Sequence, residues 1–119
     1  MPQHRPEFDT INLGAKDDVT KAIPVGDATK VSVQIIADTA TYTDTSWTVD
    51  LEWSLAIGKD EQGRSVENWR AFATAVQFTS TTPGRRKTSV TGAGYIRLRT
   101  STAGTTKPDP HARVTMVLL

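Results

Sequence analysis

Trp47, Val49, Leu51, Trp53, Leu55 and Ile57 alternate with Thr48, Asp50, Glu52, Ser54 and Ala56 in an unbroken apolar–polar series. Period two sustained over residues 47–57 predicts a strand with one face in a core and the other in water. A slip of one residue would turn every one of those apolar side chains outward, so the register is tightly specified. Shorter runs repeat the pattern at Val31, Val33 and Ile35, at Ile96 and Leu98, and at Val114, Met116 and Leu118. Phe8, Thr10 and Asn12, followed by Val19 to Ile23, predict weaker early strands. Two periods compete around Val66 to Val76. Trp69, Phe72, Ala73 and Val76 fit helical spacing, whereas Arg70, Phe72, Thr74, Val76 and Phe78 fit a strand, and a strand preceded by a turn is expected.

Pro24, Gly26, Gly58, Gly63, Pro83-Gly84, Gly92, Gly94, Gly104, Pro108 and Pro110 separate these runs at strand-like intervals, as turn residues should. Threonine gathers at Thr39-Ala40-Thr41-Tyr42-Thr43-Asp44-Thr45 and at Thr79-Ser80-Thr81-Thr82, and β-branched side chains fit a pleated surface better than a helix. Together the alternation and the turns predict an all-β fold: an antiparallel β-sandwich, jelly-roll-like, with about seven or eight strands. Residues 8–119 form the single sandwich domain in this reading. Residues 1–7, with Pro2 and Pro6 among polar neighbours, read as an extended N-terminal arm.

With 119 residues the chain has the size of one domain and can bury about two-thirds of its unfolded surface. It contains no cysteine, which removes thiol nucleophiles, thiolate metal sites and disulfides together. The first thirty residues hold no apolar run long enough for a signal or a membrane span, so synthesis in the cytoplasm and no membrane contact are expected. Only His4 and His111 are available as imidazoles, and neither sits in a triad or paired-ligand pattern. Gly92-Ala93-Gly94 lacks the third glycine and the helix of a dinucleotide fingerprint and reads as a turn before Tyr95. Asp60, Glu61 and Glu67 around Gly63 lack calcium-loop spacing and read as a solvated hairpin loop. The expectation is a protein without catalytic residues, metal or cofactor.

The net charge of +1 conceals a division. Residues 1–63 sum to −6 and residues 64–119 to +7. Arg85-Arg86-Lys87 reads as a basic turn, and Tyr95, Arg97 and Arg99 point outward if Ile96 and Leu98 point in. Such a face fits an acidic protein surface or nucleic acid. The stronger alternative is that acidic and basic strands, distant in sequence, pair across a sheet. Trp47 and Trp53 share the inward phase of Leu51 and read as core, and Trp69 is either a binding platform or a lid on the core.

The series Leu51-Glu52-Trp53-Ser54-Leu55, the loop leading to Glu67-Asn68-Trp69, and Gly92-Ala93-Gly94-Tyr95-Ile96-Arg97-Leu98-Arg99-Thr100 before a last apolar strand resemble a pattern of small bacteriophage structural β-sandwich proteins. Within that group the resemblance is to capsid decoration, or cement, proteins, and it spans about residues 30 to 119. It implies a non-enzymatic virion protein on the outer capsid surface, bound to the major capsid protein and self-associated, with a trimer favoured. His4, Arg5 and Phe8 in the arm and Tyr95, Arg97 and Arg99 on the exposed strand are the partner-binding residues it implies. Nucleic acid is the disfavoured partner, since no nucleic-acid fold motif accompanies the charges. A tail or baseplate attachment protein and a carbohydrate-binding module using Trp69 and Tyr42 are the alternatives.

Overall fold

In the computed structural model, which describes residues 5–37, 46–72, 76–79, 84–104 and 111–119, the alternating runs become strands. These are β1 (Arg5–Asn12), β2 (Ile23–Pro24), β3 (Lys30–Ala37), β4 (Thr48–Ser54), β5 (Arg70–Ala71), β6 (Gln77–Thr79), β7 (Gly84–Ser89), β8 (Tyr95–Thr102) and β9 (His111–Leu118). One sheet has the order β1-β9-β3-β7 and the other β2-β8-β4-β5, with β6 also on β4. Every pairing is antiparallel.

β5 and β6 lie along the same edge of β4, and the Leu51 N–H donates to the Val76 carbonyl at 3.0 Å between them. They act as one interrupted strand, which answers the competition of periods in that segment in favour of β. Counted so, each sheet holds four strands among the described residues, and the chain changes sheet at every step between them except from β4 to β5. That is the wiring of a jelly roll. The inner faces meet in a core of Ile11, Val31, Val33, Ile35, Val114, Met116 and Leu118 from the first sheet and Ile23, Val49, Leu51, Phe78, Ile96 and Leu98 from the second. At about 25 cal/mol per Å² of apolar surface, burial of these side chains is the main force holding the sheets face to face.

Four features depart from the sequence reading. First, β4 ends at Ser54, so Leu55 and Ile57 are 69% and 41% exposed and lie outside the core. Buried Ser54 causes this: its hydroxyl donates to the Ala56 carbonyl at 2.7 Å and accepts the Asn68 N–H at 3.0 Å, turning the chain away from the ladder. Trp53, expected in the core, is only partly buried and packs against its rim.

Second, Glu52 is buried where its phase called for water. Third, Arg85, Arg86 and Lys87 occupy the edge strand β7 rather than a turn. Cations on an edge strand obstruct pairing with a foreign strand, and Arg86, turned inward, sits 5.4 Å from the Phe78 ring centre.

Fourth, Arg5, Pro6 and Glu7 are not an unpaired arm. They belong to β1 and stand opposite Leu118, Val117 and Met116 of β9. Of the early strand expected from Val19 to Ile23, only β2 and a bridge from Val19 to Arg99 form. The Thr20 hydroxyl fills the gap by accepting the Leu98 N–H at 3.0 Å.

Candidate functional site

Of the residues proposed from the sequence, Tyr95, Arg97 and Arg99 lie on one outer surface and Phe8 on the other. Tyr95, Arg97 and Arg99 do share the outward phase of β8, on the five-stranded sheet. Their guanidinium groups are not free, however. β4 places Glu52 directly opposite Arg97 and diagonal to Arg99. Arg97 Nε donates to Glu52 Oε1 at 3.1 Å and Arg99 Nε to Glu52 Oε2 at 2.8 Å, so each carboxylate oxygen has its own guanidinium. Arg99 Nη1 reaches a second carboxylate, Asp17 Oδ1, at 2.7 Å. The Arg99 guanidinium is held above its ordinary value, first by the Glu52 hydrogen bond, against the opposing effect of burial.

Trp69 closes this cluster from the solvent side. The Arg97 guanidinium carbon stands 4.2 Å from the Trp69 ring centre, a cation–π contact, and Trp69 Nε1 donates to Glu67 Oε1 at 2.8 Å. Trp69 thus packs on the charge cluster and is not among the side chains that pack on the apolar core. On the edge, Arg5 Nη2 donates to the Val25 carbonyl at 2.7 Å and to that of Pro24 at 3.3 Å, clasping β1 to the segment of β2 in the opposite sheet. His4 and Tyr42 lie outside the described residues.

Phe8 differs from the other predicted residues. It is 67% exposed on β1 and points outward from the four-stranded sheet. The registers align it with Thr115, Gln34 and Arg85 in one row across four strands. The flanking rows are Pro6, Val117, Ser32 and Lys87 on one side, and Thr10, Arg113 and Ile36 on the other. Sequence reasoning missed Ile36, Arg85, Lys87 and Arg113 as one surface because β3, β7 and β9 are separated in the chain by strands of the other sheet. The sequence signal was the outward phase of the β3 and β9 runs, and β7 carried none because it has no apolar side.

Two depressions of about 270 and 360 Å³ flank Trp53. The first is lined by Ser54, Leu55, Val66, Asn68 and Arg70, the second by Phe72, Ser89, Thr91, Gly92 and Ala93. Gly92-Ala93-Gly94 is the expected turn ahead of β8. Both depressions lie at the sandwich rim and are open to solvent.

No family model matches the sequence, and no curated protein matches it either. Among solved structures the fold is similar to the SPBc2 prophage-derived protein YomS, with TM-score 0.51 and 12% identity over 99% of this chain and 96% of that one. It is also similar to the PBSX exported protein XepA, with TM-score 0.53 and 12% identity over 100% of this chain. The chain spans 39% of the length of XepA. These likenesses establish a shared sandwich fold.

Proposed function

We propose that this chain is a non-enzymatic bacteriophage virion protein, a decoration or cement protein that binds the outer surface of the capsid and braces neighbouring major capsid subunits. The observation that carries this reading is the fold shared with a prophage-derived protein along nearly the whole of both chains. The chemistry of the described residues supports it. The most buried charges are locked to one another as Glu52 with Arg97 and Arg99, so these groups are engaged within the sheet rather than turned toward a ligand.

A sandwich of this kind works as a rigid block. A modest contact made by each copy becomes strong attachment when self-association presents several copies to a repeating lattice, with a trimer favoured. A sugar-binding role would draw on Trp69, and Arg97 occupies one face of that ring. The test is to mix the purified chain with undecorated capsids and with isolated tails of the phage that encodes it, then sediment both. Uptake by capsids supports decoration. Uptake by tails alone replaces it with the tail-attachment reading, and uptake by neither removes the virion role.

A further inference from the structure

The outward face of the four-stranded sheet combines cations with exposed apolar side chains. Its charged side chains are Lys30, Arg85, Lys87 and Arg113, and among the described residues of this face there is no acidic side chain. Glu7 and Asp9 of β1 have the opposite phase, and Asp9 is turned to accept the Thr10 and Lys21 N–H groups. None of the four cations takes part in an ion pair among the described residues. Phe8, on the edge strand β1, and Ile36, beside Arg113, are 67% and 40% exposed, and Pro6 and Val117 lie in the row next to that of Phe8.

Resting on the virion reading above, we infer that this face is the surface that docks on the capsid, and that its partner is an acidic protein surface carrying an apolar patch. Charge complementarity selects that occupant. A second copy laid face to face would oppose cations to cations, and like-charge juxtaposition is strongly unfavourable. Nucleic acid would pair with the cations but would gain little from Ile36, Pro6 and Val117. An acidic protein surface uses both parts: the cations steer and orient the encounter, and Phe8 supplies the desolvated anchor.

The size of the face also fits. Four strands of this length cover roughly 19 by 26 Å, about 500 Å², from standard strand spacing and rise. That is below the roughly 800 Å² per partner of a typical stable complex, so one copy binds weakly and attachment depends on several copies acting together.

The test uses the full chain and undecorated capsids of the encoding phage, with affinity measured by sedimentation. Replacing Arg85, Lys87 and Arg113 by Glu, and separately Phe8→Ser, should each weaken binding by at least about tenfold while the melting curve stays close to wild type. Raising salt from about 0.05 to about 0.5 M should weaken the wild type and leave the charge variant nearly unaffected. Wild-type binding equalled by both variants overturns this inference and leaves the decoration reading standing. A wild type that does not bind capsids overturns both. Binding of a single-stranded DNA oligonucleotide that is lost in the charge variant, with capsid binding intact, replaces the protein partner. A dimer that the charge variant dissolves, again with capsid binding intact, makes a second copy the occupant.

Discussion

The two sheets of this sandwich present opposite kinds of outer surface. On the five-stranded sheet, charge is internalised: Glu52 is 5% exposed, two arginines divide its oxygens, and Trp69 lies over one of them. On the four-stranded sheet, Lys87 and Arg85 stand beside Ser32 and Gln34, and no ion pair engages either cation among the described residues. The same residue type therefore has two physical meanings. An arginine whose partner is buried belongs to the fold, and an arginine outside any ion pair is available to another molecule.

The strongest way to break this comparison is to remove the internal pairing. Arg97→Gln together with Arg99→Gln should cost about 3–5 kcal/mol, because it leaves the Glu52 carboxylate buried and uncompensated. For a domain of this size the midpoint of thermal unfolding should fall by about 10–20 °C. Adding Glu52→Gln should recover a substantial part of the loss, since the orphaned charge is then gone. If the double variant melts like wild type, the cluster is a solvated surface feature and the two faces are alike.

A second perturbation acts at the corner where β4 leaves the five-stranded sheet. Gly94 donates its N–H to the Ser54 carbonyl at 3.2 Å and accepts the Val25 N–H at 2.9 Å. A Cβ there would collide with the Leu55 backbone carbonyl, which has no side-chain freedom with which to retreat. Gly94→Ala should therefore destabilise by about 1–3 kcal/mol, the range for forced overpacking. Denaturant unfolding is the measurement, and an unchanged midpoint would mean that the turn before β8 can move away from β4.

Much of the fold was legible because alternation is a local property. Val31 to Ile35, Ile96 to Leu98 and Val114 to Leu118 are buried in the expected phase, since a strand between two neighbours in a two-layer sandwich has one face that can enter the core. The end of β4 was not legible, because Leu55 and Ile57 continue the apolar series and only the tertiary bonds of Ser54 stop it. Arg85-Arg86-Lys87 resembles a turn in sequence because the inward positions of β7 are Gly84, Arg86 and Thr88, a strand without an apolar side.

The site followed the same logic. The outward phase of Arg97 and Arg99 was readable, but their engagement with Glu52, 45 and 47 residues away, depends on the pairing of β4 with β8. The division of charge between the two halves was in part the pairing of acidic and basic strands that the sequence reading favoured. The face around Phe8 gathers residues from four strands that the sequence keeps far apart.

On the other outer face the expected effect is small. Arg85→Gln with Lys87→Gln should change stability by no more than about 0.5 kcal/mol in either direction, the usual range for surface substitutions. Placed beside the Arg97 and Arg99 double variant, this pair removes the same number of cations and isolates the effect of a buried partner. Equal melting losses in the two double variants would erase the distinction between the faces.

The smallest effect concerns Glu67, at the outer margin of the cluster under Trp69. The Trp69 N–H, then the Gly58 N–H at 3.3 Å, hold its carboxyl below the ordinary value of 4.5 against the opposing effect of desolvation, and the Arg97 charge adds a smaller lowering. In the folded chain Glu67 thus stays ionised at a pH where the unfolded chain has already bound a proton. The stabilisation this gives is fully present above about pH 4.5 and is lost as the pH falls through the lower folded value. Glu67→Gln should therefore melt slightly below wild type at neutral pH, and the gap should close on acidification below 4.5. Melting curves of both proteins, followed by tryptophan fluorescence across that range, provide the check. A gap that keeps its size down to the acid limit would mean that the Trp69 hydrogen bond does not distinguish the charged carboxylate from its neutral form.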